Sequence, residues 1–397
     1  MIRSCLQMRT EYYLYNVQEG KCMNLSKSVD FLLENASYVI QYRLRKEILN
    51  NLSSNEEEYL LEQIYETPHF KLMRSYVKPN GYIGSGMHSW SNWRGKTLHN
   101  TPLEDGEAAA RLLSYYGIPK TNTFIVGFIN AMRDEEILRH EFSYIPPEIP
   151  RFENRFVGIN SGNCLMALIY TMQSMLGYGD DKEVRHFQDI CLKGFQRVLE
   201  INSQDEITKQ RKSKTKYNYP YIESDEYFPC SYTLSELAYT NAWRTPENIQ
   251  MLANSLNHIN KIMKPENNMH VKIDNKYYAP GFALNRPLRS FKTDVVDSIL
   301  YRRPLTEIAM LGVGRRVDII RETAENLEEA LKHDGILKQN YNLQRNKRYS
   351  PLNIEYPSAY TDVRLEPDYK VNKNAIWCDL TFWAVQFLHL CDNIDIT

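Results

Sequence analysis

The sequence has almost no net charge: 48 lysines and arginines face 49 acids, leaving -1 at neutral pH. Without a basic excess there is no global field to gather nucleic acid or an anionic membrane. No run of about 20 apolar residues is present, so no membrane-crossing helix is expected. Residues 1–20 mix Arg3, Arg9 and Glu11 with several tyrosines and lack the apolar core of a signal peptide. The seven cysteines (Cys5, Cys22, Cys164, Cys191, Cys230, Cys378 and Cys391) are odd in number and include no CxxC. That usage fits reduced thiols in a cytoplasmic protein. Three sequence signatures are also missing. No GxxxxGK[ST] occurs and no GxGxxG follows a strand, which disfavours a nucleotide site. No GxSxG is present, which disfavours a hydrolase nucleophile elbow.

What the sequence does have is a repeat of pattern rather than of identity. An apolar helical stretch runs into Gly or Asn, then a short polar turn, then an amphipathic helix. It occurs at 110–116 before Gly117-Ile118-Pro119 and at 165–176 before Gly177-Tyr178-Gly179-Asp180-Asp181. It returns at 234–240 before Asn241, with Thr245-Pro246-Glu247 following, and at 305–311 before Gly312-Val313-Gly314. A unit upstream, 38–49, stops at Asn50-Asn51-Leu52, and one downstream covers 380–390. The repeat predicts an all-α fold, a single α/α toroid of about six helical hairpins with almost no sheet. It spans 28–397 behind an N-terminal extension at 1–27, and its inner helices would enclose a central cavity.

Local signals fit this reading. Ser53 followed by Glu56, Glu57 and Glu58 starts a helix, with a cap and acids in the first turn. Thr101-Pro102-Leu103-Glu104 has the same character. Asp180-Asp181 is read as the dipole-favoured start of an outer helix. Three stretches break the periodicity: 82–100, 263–291 and 340–374. Residues 208–219 form a basic polar loop. Long connections of this kind carry function in compact domains.

Asn80-Gly81-Tyr82-Ile83-Gly84 and Asp334-Gly335-Ile336-Leu337, each closing an outer helix, together with the hairpin count resemble the prenyltransferase and squalene–hopene cyclase superfamily. The pattern of Gly162-Asn163, Gly177-Tyr178-Gly179-Asp180-Asp181 and Cys230 is most similar to uncharacterised bacterial toroid proteins. The likeness covers roughly residues 30–392 and implies an isoprenoid-like substrate. The catalytic motifs of those relatives are not reproduced. The Asp-x-Asp-Asp acid is absent, and Val184 stands where Asp-Asp-x-x-Asp would need its third acid. In Trp377-Cys378-Asp379-Leu380-Thr381-Phe382-Trp383, the register places Trp377 and Asp379 where a zinc-binding Asp and Cys would stand. Asp189-Ile190-Cys191 has the spacing but belongs to an outer helix. Neither a metal nor an organic cofactor is therefore expected.

Candidate site residues fall in four groups. The first is the loop carrying Tyr82, His88, Trp90, Trp93 and Arg94, where aromatic faces beside a cation suit a hydrophobic or carbocationic ligand. His88 is a candidate acid–base there. The second is Asp294 with Asp297, acids three residues apart and so on one side of a helix. The third is Glu307, an acid on an apolar helix that either faces the cavity or pairs with Arg302 or Arg303. The fourth is Asn163, Cys230 and Asp379, near the starts of inner helices and expected on one rim. Charges at Asp362, Arg364, Glu366 and Asp368 are expected in a solvated turn. The leading expectation is an enzyme acting on a hydrophobic, isoprenoid-like small molecule. One alternative is a carbohydrate-active α/α barrel; the other is a non-catalytic toroid that binds a peptide or partner. Oligomeric state is left open.

Overall fold

In a computed structural model of the chain, the described residues are 25–84, 86, 105–142, 152–211, 219–264, 269–278, 288–294, 302–338, 365–366 and 374–392. They are mostly helical. One set of helices is buried nearly all round: α5 (Gly106–Tyr115), α8 (Leu165–Met175), α10 (Ser231–Ala238), α12 (Arg302–Met310) and α14 (Ala375–Asp392). α8 and α14 are apolar nearly all round and so have to lie inside. A second set is amphipathic and packs one stripe inward: α9 (Lys182–Leu199), α11 (Pro246–Ile262) and α13 (Asp318–Leu331). The remaining helices are α1 (Ser26–Asn35), α2 (Tyr38–Arg43), α3 (Ser54–Tyr65), α4 (Pro68–Ser75), α6 (Thr123–Arg133) and α7 (Glu135–Phe142). A π-helical turn, Leu44–Ile48, prolongs α2.

The buried helices touch in series. α5 packs on α8, α8 on α10, α10 on α12, α12 on α14, and α14 on α1 and α2. Each amphipathic helix packs on a buried one or on its own kind, as in α9 on α10 and α11, and α13 on α12 and α14. Hydrogen bonds at or near the helix ends, and one from within α14, tie successive units together as well. Arg43 donates to the Tyr115 carbonyl at 3.1 Å, and Tyr178 donates to the Lys120 carbonyl at 3.0 Å. Asp180 accepts from the N–H groups of Asn241 and Ala242, and Arg244 donates to the Met310 carbonyl at 2.7 Å. Arg315 bonds Asp392 at 3.2 Å, and Gln386 donates to Glu47 at 3.3 Å.

The stop residues of the repeat have a conformational reason. Gly117, Gly177 and Gly312 take φ of +68, +87 and +74, and Asn50 takes +47. A left-handed residue after the last turn ends a helix, and Gly or Asn tolerates that geometry best. Asn241 does not use it; its N–H is held by Asp180 instead. Asp180 therefore does more than open a helix: it links one turn to the next. Glu56 reaches back to Ser53 at the start of α3, accepting from its N–H at 3.2 Å and its hydroxyl at 2.6 Å. Thr245 caps α11 above Pro246.

One expectation needs correction. The stretch 263–291 is not wholly irregular, because β2 (His270–Ile273) and β3 (Lys276–Tyr278) form an antiparallel hairpin within it. β1 (Tyr221–Glu223) joins β2 in parallel, giving a small three-stranded sheet. The alternation His270-Val271-Lys272-Ile273 before Asp274-Asn275 was the sequence signal, with Asp274 left-handed at φ 54. α1 begins at Ser26, beside the expected boundary at 27. Thr101 and Glu104 lie outside the described residues.

Candidate functional site

Charges meet inside the buried helices. On α5, Glu107, Arg111 and Tyr115 follow one another at four-residue steps and so share a stripe. Arg111 donates from Nε to Glu107 Oε1 at 2.9 Å. Its Nη1 donates to the Tyr115 hydroxyl at 3.1 Å and to Met175 Sδ of α8 at 3.5 Å. The same Nη1 stands 3.8 Å from Glu307 Oε1 of α12. That oxygen accepts Arg303 Nε at 3.0 Å, so two guanidinium groups approach one carboxylate oxygen. α10 supplies hydroxyls: Tyr232 donates to Glu107 Oε2 at 3.4 Å, and Ser235 accepts Arg303 Nη2 at 3.2 Å. Next to it, Trp383 of α14 donates its indole N–H to Thr306 at 2.8 Å, and Arg302 lies over the Trp383 ring.

Glu107 and Arg111 are 0% exposed, Glu307 2% and Arg303 4%. Burial works against the charges of Arg111 and Arg303, and their neighbours offset it. For Arg111, burial pulls the pKa down, but Tyr115, Glu107 and Glu307 outweigh it and the net shift is well upward. Arg303 is also raised: burial and the Arg111 charge pull it down, while Glu307, Tyr115 and Glu107 push it up. Tyr232 is raised far above its ordinary value, chiefly by burial and then by the Glu107 charge. The cluster therefore contains permanent cations, a tyrosine kept as a proton donor, and carboxylate acceptors.

Two other buried acids stand apart from it. Glu236, on the neighbouring face of α10, accepts from the Ser174 hydroxyl at 2.8 Å, and its Oε1 has no hydrogen-bond partner among the described residues. Burial, with a contribution from Asp180, pushes it up to about 8. Glu366 accepts the Ser37 N–H at 2.7 Å, and Leu365 donates its N–H to Asp379 at 3.0 Å. Burial, then the Asp379 charge, raises Glu366 to about 8. The Tyr116 hydroxyl lies 3.1 Å from His69 Nδ1, and both side chains are buried.

The sequence candidates divide sharply. Glu307 is in the cluster, paired with Arg303, one of the two partners its context allowed. Asp294 lies in an exposed turn, away from the buried set, because the described part of α12 begins only at Arg302. Asp297, His88, Trp90, Trp93 and Arg94 lie outside the described residues. Tyr82 is fully buried edge-on against Phe128 and packs as core. Asn163 precedes α8 without capping it; Cys164 takes that position, its sulfur accepting the Ala167 N–H at 3.3 Å. Cys230 caps α10 in the same way through the Tyr232 N–H at 3.3 Å. Asp379 holds Leu365 and is not joined to Asn163 or Cys230 by any hydrogen bond among the described residues. Glu366, expected in a solvated turn, is buried at 3% exposure.

Sequence reasoning missed Glu107, Arg111, Tyr232 and Arg303 as a set. A signal was present, since Glu107 with Arg111 and Arg303 with Glu307 are both i,i+4 opposite-charge pairs on otherwise apolar helices. Such pairs usually sit on a solvated face; here they face inward. Among the described residues, no group of three or more His, Cys, Asp or Glu could hold a metal, and no helix is long and apolar enough to cross a membrane. No protein-family model, no curated protein and no solved structure matches the chain.

Proposed function

We propose that the chain is an α/α toroid enzyme whose active centre lies on its inner helices and acts on a hydrophobic, isoprenoid-like small molecule. The serial packing of α5, α8, α10, α12 and α14, and of α14 on α2, supports the ring, as do the hydrogen bonds of Arg43 with the Tyr115 carbonyl and of Gln386 with Glu47. The reading of the centre is carried by one observation: Glu107, Arg111, Arg303 and Glu307 are buried together on α5 and α12. Buried charges seldom repay their desolvation as stability, and hydrophobic replacements often do better. Such a cluster, with the Arg111 and Tyr232 pKa values raised well above their ordinary values, is a candidate functional site. In this reading Glu307, positioned by Arg303, moves the proton, and Tyr232 donates to developing negative charge. The substrate class rests on the resemblance to prenyltransferases and squalene–hopene cyclases.

A second reading has its own observation. Glu107 and Glu307 both approach Arg111, and paired carboxylates are the working groups of carbohydrate-active enzymes. A thermal-shift screen of isoprenyl diphosphates against neutral and acidic oligosaccharides separates the two. Stabilisation by the isoprenyl compounds alone supports the leading reading, and stabilisation by sugars alone replaces it.

A further inference from the structure

Arg111 carries five N–H donors. The Nε donor goes to Glu107, and the two on Nη1 go to Tyr115 and Met175. Nη2, with its two donors, has no hydrogen-bond partner among the described residues, although the side chain is 0% exposed. Buried guanidinium donors are nearly always satisfied, and one left open is a place for an acceptor the protein itself does not supply. Three features give that acceptor its chemistry. The guanidinium is locked in place by three bonds to side chains of α5 and α8, so its unpartnered Nη2 is held in a fixed direction. The cation is permanent, because Glu107, Glu307 and Tyr115 hold its charge against burial. A second guanidinium, Arg303, shares Glu307 with it. A planar cation with free, fixed donors matches an oxyanion better than a neutral carbonyl.

We infer that Arg111 Nη2 is the docking point for an oxyanion, the phosphate-type or carboxylate group of the ligand that this site binds. The inference rests on the proposed active centre and adds the chemical group by which its ligand is held. Arg111 is then a binding residue rather than the proton-transfer group, with Tyr115, Glu107 and Met175 positioning it.

Inorganic phosphate, pyrophosphate and acetate are the probes, titrated into the full chain against sodium chloride of matched ionic strength, with melting temperature and calorimetry as readouts. At least one oxyanion should raise the melting temperature above the chloride control and give a saturable isotherm. A preference for phosphate or pyrophosphate over acetate identifies a phosphate-type group, and the reverse identifies a carboxylate. Arg111→Lys keeps the charge but removes the forked donors, and should weaken binding by about tenfold or more. Arg111→Gln should abolish it, while the surface variant Arg139→Gln should bind as wild type does. The inference fails if none of the three probes exceeds the chloride control, or if Arg111→Lys, folded by circular dichroism, binds them undiminished. Oxyanion binding without turnover of any isoprenyl compound would remove the substrate reading and leave this site. Isoprenyl turnover without oxyanion binding would do the opposite.

Discussion

Two groups of charges in this molecule use the same chemistry in opposite surroundings. At the surface, Arg139 bonds Glu135 and Glu153, each at 3.1 Å, and all three side chains are about half exposed or more. In the interior, Arg111 and Arg303 meet Glu107 and Glu307 at distances from 2.9 to 3.8 Å with almost no exposure. The surface group gives little, since water already solvates its members and salt screens them; such pairs contribute about 0–1 kcal/mol. The interior group carries a desolvation cost that only complete pairing offsets. At the surface water can complete whatever pairing the protein leaves open; inside, at Arg111 Nη2, the pairing is incomplete where it matters most. A folded chain can hold that shortfall for a ligand, which is why the interior group is the candidate site.

Cutting one partner from each group tests the contrast most strongly. Glu107→Gln removes the nearer of the two acids beside Arg111, leaves its buried charge only partly compensated by Glu307 and should cost about 3–5 kcal/mol, whereas Glu135→Gln should cost less than about 0.5 kcal/mol. Urea unfolding of both variants reads the difference. Near-equal losses would mean that the interior is wet and that the contrast does not hold.

A second comparison, between paired and solitary buried acids, predicts a pH dependence. The ordinary value of the Glu236 carboxyl is 4.5, and in the fold it is about 8. Between those values the folded chain holds a proton that the unfolded chain has released. Stability therefore falls as pH rises through that window, and the full penalty is present above pH ~8. Glu236→Gln should be close to wild type in stability near pH ~5 and exceed it by roughly 2–4 kcal/mol near pH ~9. The groups around Glu236 are Ser174 of α8, Asp180 in the following turn and Cys191 of α9. A pH-independent difference between variant and wild type, followed by thermal melts across that range, would show that Glu236 is not the titrating group.

A smaller effect separates helix ends held by conformation from those held by side chains. Gly162 has φ +65, and a Cβ there would lie 2.7 Å from Cys230 Sγ and 2.8 Å from Thr233 Cγ2. Gly162→Ala should cost roughly 1–3 kcal/mol through strain and that clash. A melting temperature equal to wild type would mean that the start of α10 yields freely.

The fold was legible where backbone rules act locally. Gly117, Gly177 and Gly312 announced helix ends because a left-handed residue is needed there, and Ser53 announced a start because caps are short-range. The β2–β3 hairpin was passed over because its proline-bounded stretch masked a clear alternation. The site was less legible. Glu307 stood out as an acid among apolar neighbours, but Arg111 did not, since an i,i+4 Glu–Arg pair reads as a solvated face until packing turns it inward. Glu366 was misread for a related reason: its burial depends on Ser37 and on Asp379's neighbour Leu365, contacts that span more than 300 residues in one case. Spacing along a chain does not report such long-range enclosure.

The most direct test of the interior group's purpose is turnover of a mixture of isoprenyl diphosphates, with products analysed by mass spectrometry, by the wild type and by Glu307→Gln. The Arg303 side chain keeps Ser235 as a partner in that variant, so folding can be verified separately by circular dichroism. The account predicts product formation by the wild type and a loss of about 100-fold or more in the folded variant, the scale expected when a proton-transfer group is removed. Product formation by Glu307→Gln at the wild-type rate, or none by the wild type with any isoprenyl compound, would contradict it.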